Sequence, residues 1–183
     1  MKLVILDRDG VINEDSDAYI KSPAEWHPIP GSAEAICRLN DQGYQVAVAT
    51  NQSGLGRGYF SHETLDAIHH KMTAHLSNHG AHLAGIFICP HAPEEHCDCR
   101  KPKAGLLDQI ARRLEINLAG VPVVGDSLRD LECAAARQCT PVLVKTGKGN
   151  RTLDKGLPEA LQDTPVFDDL ASFVDFYLSL QKR

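Results

Sequence analysis

Residues 2–10 read KLVILDRDG, a run of aliphatic side chains that ends in two carboxylates, Asp7 and Asp9, and a glycine. The aliphatic residues 3–6 are typical of a buried strand. Aspartate and glycine are ordinary turn residues, so a solvated turn is one explanation for the end of this stretch. The other explanation is a reactive site at the end of a strand, which requires matching chemistry elsewhere in the chain.

Similar aliphatic runs recur along the chain and alternate with helix-like segments. Further strands are predicted at residues 44–49, 86–88, 121–124 and 141–144, and helices at 32–43, 61–80, 105–114, 128–137 and 169–180. This alternation predicts an α/β fold, a three-layer, Rossmann-like parallel sheet with helices on both faces. We expect a single domain over residues 1–183, with an irregular loop at 14–30 and no room for a large cap domain before the second strand.

The composition excludes several classes of protein. A net charge of -5 argues against general nucleic-acid binding. No apolar run approaches the roughly 20 residues that span a bilayer, and the first residues do not resemble a signal peptide. We therefore expect a cytoplasmic monomer that acts on a small molecule, with neither a nucleic acid nor a membrane as its partner.

Polar residues follow each predicted strand directly. Asp7 and Asp9 follow the first strand, residues 50–53 the second, and Asp126 the fourth. Because the carboxyl ends of parallel strands meet at one edge of a sheet, we expect these side chains to lie together. Converging carboxylates repel one another unless a cation neutralises them, and Mg²⁺ prefers such oxygen ligands. The sequence therefore predicts a magnesium site.

The same edge would suit phosphoryl transfer, in which positioning and charge stabilisation supply most of the catalysis. Thr50 and Ser53 can donate hydrogen bonds to phosphate oxygens, and Arg100 or Lys101 would balance negative charge. A carboxylate can attack phosphorus and form an aspartyl phosphate. A second acid can then protonate the leaving alkoxide and afterwards deprotonate the attacking water.

The motifs together carry a resemblance to a known family. The segments DRDG, TNQSG, RKP and GDSLRD, at residues 7–10, 50–54, 100–102 and 125–130, follow the order of the haloacid dehalogenase (HAD) superfamily motifs. Over nearly its whole length the chain resembles the bacterial D-glycero-D-manno-heptose-1,7-bisphosphate 7-phosphatases. The resemblance implies a HAD-like phosphatase that removes the 7-phosphate in heptose precursor synthesis for lipopolysaccharide or another surface glycan, through an aspartyl-phosphate intermediate.

The resemblance also implies a role for each motif residue. Asp7 would be the nucleophile and a Mg²⁺ ligand, and Asp9 the general acid and base, with its backbone carbonyl on the metal. Asp126 would complete the protein ligands. Thr50 and Lys101 would hold the transferred phosphoryl group.

Substrate contacts are predicted from Asp15, Asn51, Gln52, Ser53 and Arg100. Two assignments stay open at this point. The family motif Lys-Pro-x-Pro-Gly reads Lys101-Pro102-Lys103-Ala104-Gly105 here, which makes Lys103 a rival of Lys101. Asp130 would either support the site or simply stabilise the N-terminus of its helix.

A second metal site is predicted in the segment CPHAPEEHCDC, residues 89–99. Its candidate ligands are Cys89, His91, Cys97 and Cys99. Thiolates and imidazole suit tetrahedral Zn²⁺, and a site closed by protein ligands is structural. His96 is a rival ligand, although its neighbour Cys97 makes simultaneous ligation awkward; unrelated thiols or a redox pair are the alternatives. The resembled family has such a loop, and zinc would order it beside Arg100 and Lys101.

Two other functions share part of this pattern. Histidinol-phosphate phosphatases resemble the chain in the same motifs and in a related zinc loop. A phosphoacceptor signalling module also combines an acidic pocket, Mg²⁺, threonine and lysine. Its acceptor, however, follows a strand in the middle of the chain, and it has no zinc loop.

Overall fold

The computed structural model describes residues 1–181, which form one parallel sheet flanked by helices. The strands are β1 (Lys2–Leu6), β2 (Tyr44–Asn51), β3 (Gly85–Cys89), β4 (Pro122–Gly125), β5 (Thr140–Val144) and β6 (Val166–Phe167). The helices are α1 (Ser32–Asp41), α2 (Ser53–Gly56), α3 (His62–Asn78), α4 (Gly105–Leu114), α5 (Leu128–Ala135), α6 (Gly149–Lys155) and α7 (Leu170–Leu180). Within residues 1–181, no helix is both long enough and apolar enough to cross a membrane.

The predicted α/β sheet is confirmed, with differences at strand ends and in the short elements. Strand β2 extends two residues beyond the prediction, to Asn51. Strand β6 was not predicted, because two residues are too short to show a hydrophobic period. The short helices α2 and α6 were also missed, since their glycine-rich N-terminal sequences favour loops.

The central strand β1 is buried on both faces. Val4 and Leu6 pack into a core formed with α1, α3 and α7. Leu3 and Ile5 point to the opposite face and pack with α4 and α5. Successive strand side chains alternate between faces, so this uninterrupted aliphatic run builds both layers of the core.

The sheet order, β3-β2-β1-β4-β5-β6, places the site. The chain proceeds from β1 toward one edge of the sheet and then returns to β4, on the other side of β1. Ligands of such folds bind at this topological switch point, outside the carboxyl ends of the strands. Asp7, after β1, and Asp126, after β4, therefore become neighbours, and the amide of Asp7 donates to the carbonyl of Val124 at 2.9 Å.

The segment between β1 and α1 is an ordered loop rather than a cap domain. It contains a 3-10 turn at Pro23–Glu25. Trp26 is only 1% exposed and belongs to the main core. The amide of Ile29 donates to the carbonyl of Ile12, which closes the loop beside the sheet. This loop therefore lines the cleft above the sheet, for example with Asp15 and Tyr19, without forming a separate domain.

Candidate active site

Three carboxylates meet at the switch point. Oxygen atoms of Asp7, Asp126 and Asp130 lie within 4.8 Å of one another. Oδ1 of Asp7 accepts a hydrogen bond from the amide of Arg8 at 2.8 Å, and Oδ2 of Asp126 accepts one from the amide of Lys148 at 2.8 Å. Gly10 has φ +84°, and a Cβ there would overlap the carboxylate of Asp126. Glycine is required at this turn for both reasons.

The electrostatics of this centre favour a bound cation. Burial, together with repulsion from Asp130, raises the pKa of Asp7 to about 7. Burial and repulsion from Asp7 raise the pKa of Asp126 to about 8. The raised pKa values mean that too little positive charge lies near these two carboxylates. Their oxygen atoms are the kind of ligand that Mg²⁺ prefers. We conclude that the residues fit the predicted magnesium site.

Lys101 lies beside this acidic centre and is 4% exposed. Its Nζ lies 3.2 Å from Oδ1 of Asp7 and donates to Oδ1 of Asp130 and to the carbonyl of Ala49, each at 2.7 Å. Burial lowers the pKa of Lys101, but the carboxylates of Asp130 and Asp7 outweigh burial and raise it above its ordinary value. Lys101 is therefore a fixed positive charge within reach of a phosphate on Asp7.

Its rival, Lys103, lies outside the cleft. The Lys103 side chain is 57% exposed, and its Nζ donates to the carbonyl of Cys97 at 3.1 Å. The geometry thus favours Lys101 as the phosphate-binding lysine.

Both carboxylate oxygens of Asp130 accept hydrogen bonds from protein donors. Its Oδ1 accepts from Lys101, and its Oδ2 accepts from the amides of Asp126 and Ser127 and from the Ser127 hydroxyl at 2.9–3.2 Å. Asp130 therefore orients Lys101 and closes the first turn of α5, which combines the two roles left open by the sequence.

The Asp9 carboxylate is held by four donor groups on three side chains. Its Oδ1 accepts from Nε and Nη2 of Arg8 at 3.0 and 2.8 Å and from Nδ2 of Asn13 at 2.9 Å. Its Oδ2 accepts from Nε2 of Gln52 at 3.1 Å. Burial raises the pKa of Asp9, but Arg8 and the hydrogen bond from Asn13 outweigh burial and lower it overall. Sequence reasoning missed Arg8 and Asn13, although an arginine between two acids was a visible signal.

Residues at the end of β2 and directly after it contact Asp9 and Lys101. Nε2 of Gln52, which bonds Asp9, also donates to the hydroxyl of the buried Thr50 at 2.9 Å. The side-chain amide of Asn51 pairs reciprocally with the backbone of Lys101 at 3.0 and 3.1 Å. Asn51 thus positions Lys101, while its contact with substrate stays a prediction, as does that of Ser53, which lines the cleft.

The cleft above the acidic centre encloses about 280 Å³ and is rich in arginine. Arg57, Arg100 and Arg129 line it, and none of them forms an ion pair with a carboxylate within residues 1–181. Burial lowers the pKa of Arg100, and the nearby charges of Arg129 and Arg57 lower it further. We call these residues the arginine cluster. Sequence reasoning identified only Arg100, because the others lie in unrelated segments.

Asp15 is another residue that lines the cleft. Its Oδ2 is 3.2 Å from Nζ of Lys148, in the loop before α6. Asp17, nearby, pairs with Arg151 at 3.0 Å. These ion pairs tie the loop after β1 to the loop after β5 and to the first turn of α6. The predicted contact between Asp15 and a sugar stays a prediction.

The cysteine and histidine side chains of residues 89–99 form a compact cluster. Sulfur atoms of Cys89, Cys97 and Cys99 and Nδ1 of His91 lie within 4.8 Å of one another, with measured separations of 3.0–3.7 Å. A tetrahedral zinc site with Zn–S bonds of about 2.3 Å has ligand separations of roughly 3.8 Å. The residues therefore fit Zn²⁺, with His91 rather than the exposed His96 in the cluster.

The pKa values in the cluster differ among the thiols. Burial raises the pKa of Cys89. Burial also acts to raise that of Cys97, but hydrogen bonds from the Arg100 amide and the neighbouring thiols lower it to about 6. A thiolate, which is the form that binds zinc, is thus already favoured at one ligand.

The zinc loop is docked onto the segment after β2. The amide of Gln52 donates to the carbonyl of Cys89, and that of Gly56 to the carbonyl of Pro90, at 2.8 and 2.9 Å. A Cβ on Gly56 would collide with the loop backbone at Pro90 and Ala92. Because Arg100 and Lys101 directly follow Cys99, ordering this loop also fixes both cations.

Comparison with known proteins agrees with this fold and site. Residues 98–173 match the model of a hydrolase family described as HAD-hydrolase-like. The switch-point carboxylates and the buried lysine fit the same class, and we assign the chain to the HAD-like hydrolases.

The most informative relatives cover nearly the whole chain. A D-glycero-beta-D-manno-heptose-1,7-bisphosphate 7-phosphatase of Pseudomonas putida is 58% identical over 172 residues, which cover 94% of this chain and 97% of the relative. The enzyme of that name from Bordetella bronchiseptica is 54% identical over 176 residues, 96% of this chain and 97% of the relative. The chain therefore belongs to the D-glycero-D-manno-heptose-1,7-bisphosphate 7-phosphatase family.

Solved structures show the same similarity. The D,D-heptose 1,7-bisphosphate phosphatase of Bordetella bronchiseptica, complexed with magnesium and phosphate, superposes with a TM-score of 0.94 at 54% identity, covering 98% of this chain and 99% of that one. The corresponding phosphatase of Burkholderia thailandensis has a TM-score of 0.77 at 47% identity, with coverages of 98% and 99%.

Proposed function

We propose that this enzyme removes the 7-phosphate of D-glycero-β-D-manno-heptose 1,7-bisphosphate, in the synthesis of heptose precursors for lipopolysaccharide or another surface glycan. The observation that carries the proposal is that the acidic centre and the arginine cluster line one cleft. A substrate with two phosphate groups can place one at each. The names of the relatives support both the substrate and its β configuration.

The first step transfers the phosphoryl group to the enzyme. A carboxylate oxygen of Asp7 forms a bond with phosphorus while the bond between phosphorus and the oxygen on C7 breaks. Lys101, 3.2 Å from Asp7, stabilises the negative charge of the phosphoryl oxygens together with the hydroxyl of Thr50.

Asp9 moves the protons in both steps. It donates a proton to the leaving C7 oxygen and later takes one from the water that attacks phosphorus and releases inorganic phosphate. Its Oδ1 accepts three hydrogen bonds from Arg8 and Asn13, whereas Oδ2 accepts only one, from Gln52, so we assign the proton exchange to Oδ2. The negative charge of an incoming phosphate raises the pKa of Asp9 and favours the protonated acid.

The two metal ions have separate roles in this scheme. Asp7 and Asp126, with the predicted backbone carbonyl of Asp9, would hold Mg²⁺, which supplies positive charge against the phosphate oxygens. Cys89, His91, Cys97 and Cys99 would hold a structural Zn²⁺.

The substrate is tested by measuring phosphate release from both anomers of the heptose bisphosphate and from histidinol phosphate. We expect Mg²⁺-dependent release that is fastest with the β anomer, and none from the Asp7→Asn variant. Faster hydrolysis of histidinol phosphate would replace the proposed substrate. A long-lived phosphorylated Asp7 without turnover would instead indicate a signalling protein.

We also propose that the chain acts as a single-domain monomer in the cytoplasm. All the catalytic groups named above come from one chain. All six cysteines are free thiols, as expected in a reducing compartment.

A further inference from the structure

Arg8 is a fully buried charge whose guanidinium contacts two side chains. The residue is 0% exposed. Its Nε and Nη2 both donate to Oδ1 of Asp9, and its Nη1 lies 3.1 Å from Nε2 of His69. A buried guanidinium requires a partner for each of its edges, and the edge that faces away from Asp9 meets His69.

His69 is suited to accept this hydrogen bond. Arginine has only donors, so Nε2 of His69 must be unprotonated and the ring proton must lie on Nδ1. Burial and the adjacent charge of Arg8 lower the pKa of His69 to about 4, which keeps the ring neutral. The ring is carried by α3, whose residues Leu65, Ile68 and Met72 are buried in the protein interior. The acceptor is therefore fixed relative to the sheet.

This chain of contacts determines how Asp9 is presented to the cleft. Three donor groups, two of them on Arg8, occupy Oδ1 of Asp9. Without the acceptor on His69, the Nη1 edge of Arg8 would lose its partner, and the guanidinium would be free to rotate toward another one. Rotation of Arg8 would release Oδ1 and change the direction in which Oδ2 points.

We propose that His69 is a positioning residue for this reaction, which acts through Arg8 to aim Oδ2 of Asp9 at the oxygen of the leaving group. The inference rests on the proposed function, since it takes Asp9 as the general acid. His69 itself does not touch the substrate.

The choice of leaving group separates this role from a purely structural one. The constant kcat/KM reports the steps up to release of the leaving group. A sugar alkoxide needs a proton from Asp9 to leave, whereas p-nitrophenolate leaves without one. Misplacing Asp9 therefore lowers kcat/KM for the heptose bisphosphate and has little effect on that for p-nitrophenyl phosphate. A general folding defect lowers both alike.

The test compares His69→Asn with His69→Gln. The asparagine amide is too short to reach Arg8, whereas the glutamine oxygen can replace Nε2 as the acceptor. We expect His69→Asn to lower kcat/KM for the heptose bisphosphate by about 10-fold or more, part of the 10²–10⁴ that acid–base catalysis contributes. The loss with p-nitrophenyl phosphate should be below about 2-fold, and His69→Gln should restore most of the activity.

His70→Asn, at the exposed neighbouring position on α3, is the matched control and should behave as the wild type. Equal losses on both substrates, no loss in His69→Asn, or no rescue by glutamine would overturn the inference. If His69→Asn does not fold, His69→Leu, which fills the space but offers no acceptor, takes its place, and an unaltered ratio between the two substrates in that variant would overturn the inference as well.

Asp9→Asn distinguishes failure of this inference from failure of the proposed function. If the wild type does not hydrolyse the heptose bisphosphate, or if Asp9→Asn impairs both substrates equally, the proposed function is wrong. If those enzymes behave as expected and only the His69 variants do not, the positioning role alone is wrong.

Discussion

Two acids separated by a single residue differ in their proton affinity because their surroundings differ. Burial and repulsion from Asp130 raise the pKa of Asp7 to about 7. For Asp9, the charge of Arg8 and the hydrogen bond from Asn13 outweigh burial and lower the pKa. Arg8, between them in sequence, bonds only the second carboxylate with its side chain. The opposite pKa shifts of the two acids in the DRDG motif thus follow from burial and Asp130 at Asp7 and from one buried guanidinium at Asp9.

Lys101 provides a test of this buried charge network. Replacing Lys101 with methionine leaves Asp7 and Asp130 without their shared cation, so the free energy of unfolding should fall by about 3–5 kcal/mol. Turnover should fall as well. The measurement is urea unfolding followed by circular dichroism, with phosphate release on the folded protein.

Lys103→Met is the matched control for the lysine test. Because this side chain is exposed, its loss should change the unfolding free energy by less than about 1 kcal/mol. Equal effects of the two substitutions would show that the buried position of Lys101 does not determine its contribution to the unfolding free energy.

At the scale of elements, the zinc loop at residues 89–99 contains very little regular structure. It contains one 3-10 turn, Pro93–Glu95, in which every residue is exposed. Such a loop buries too little apolar surface to order itself, so metal ligation would supply the stabilisation.

We therefore expect Cys97→Ser to lower bound zinc well below about one ion per chain and to lower the melting temperature by several degrees. Zinc is measured by mass spectrometry of the purified protein, and melting by calorimetry. Cys37→Ser, outside the cluster, should keep the full zinc content. Unchanged zinc in Cys97→Ser would remove this residue from the ligand set.

The arginine cluster is likewise assembled from separate elements. Arg57 directly follows α2, Arg100 follows the zinc loop, and Arg129 lies in the first turn of α5. Three like charges line one cleft without carboxylate partners among the described residues, an arrangement that favours the binding of an anion.

Arg129→Met should therefore lower kcat/KM for the heptose 1,7-bisphosphate about 10-fold relative to heptose 7-phosphate, since hydrogen bonds to charged groups contribute about 1.5–3 kcal/mol. Steady-state kinetics with both substrates measure this ratio. Arg113→Met, at an exposed position that does not line the cleft, should leave the ratio unchanged. If the ratio of the two kcat/KM values is unchanged in Arg129→Met, the second phosphate does not bind at Arg129.

For the whole molecule, the decisive property is the order of the strands in the sheet, which places the cleft. The order of the sheet brings the ends of β1, β2 and β4 to one place, and the loops around them surround the cleft. The monomer proposed above therefore predicts that catalysis needs no second copy.

Accordingly, sedimentation should show one chain per particle, and specific activity should not depend on protein concentration. Activity that falls on dilution, in parallel with a loss of mass, would mean that a subunit contact completes the site.

The sequence alone determined the alternation of strands and helices, the acids that follow the strands and the four clustered zinc-type ligands. Each of these signals lies within a short segment, where hydrophobic period and ligand spacing act locally. The tertiary structure alone decided that His69 meets Arg8, that Asp130 orients Lys101, and that Arg57 and Arg129 join Arg100. These contacts join residues from distant segments, and they depend on sheet order and on how the helices pack, which no local pattern of residues encodes.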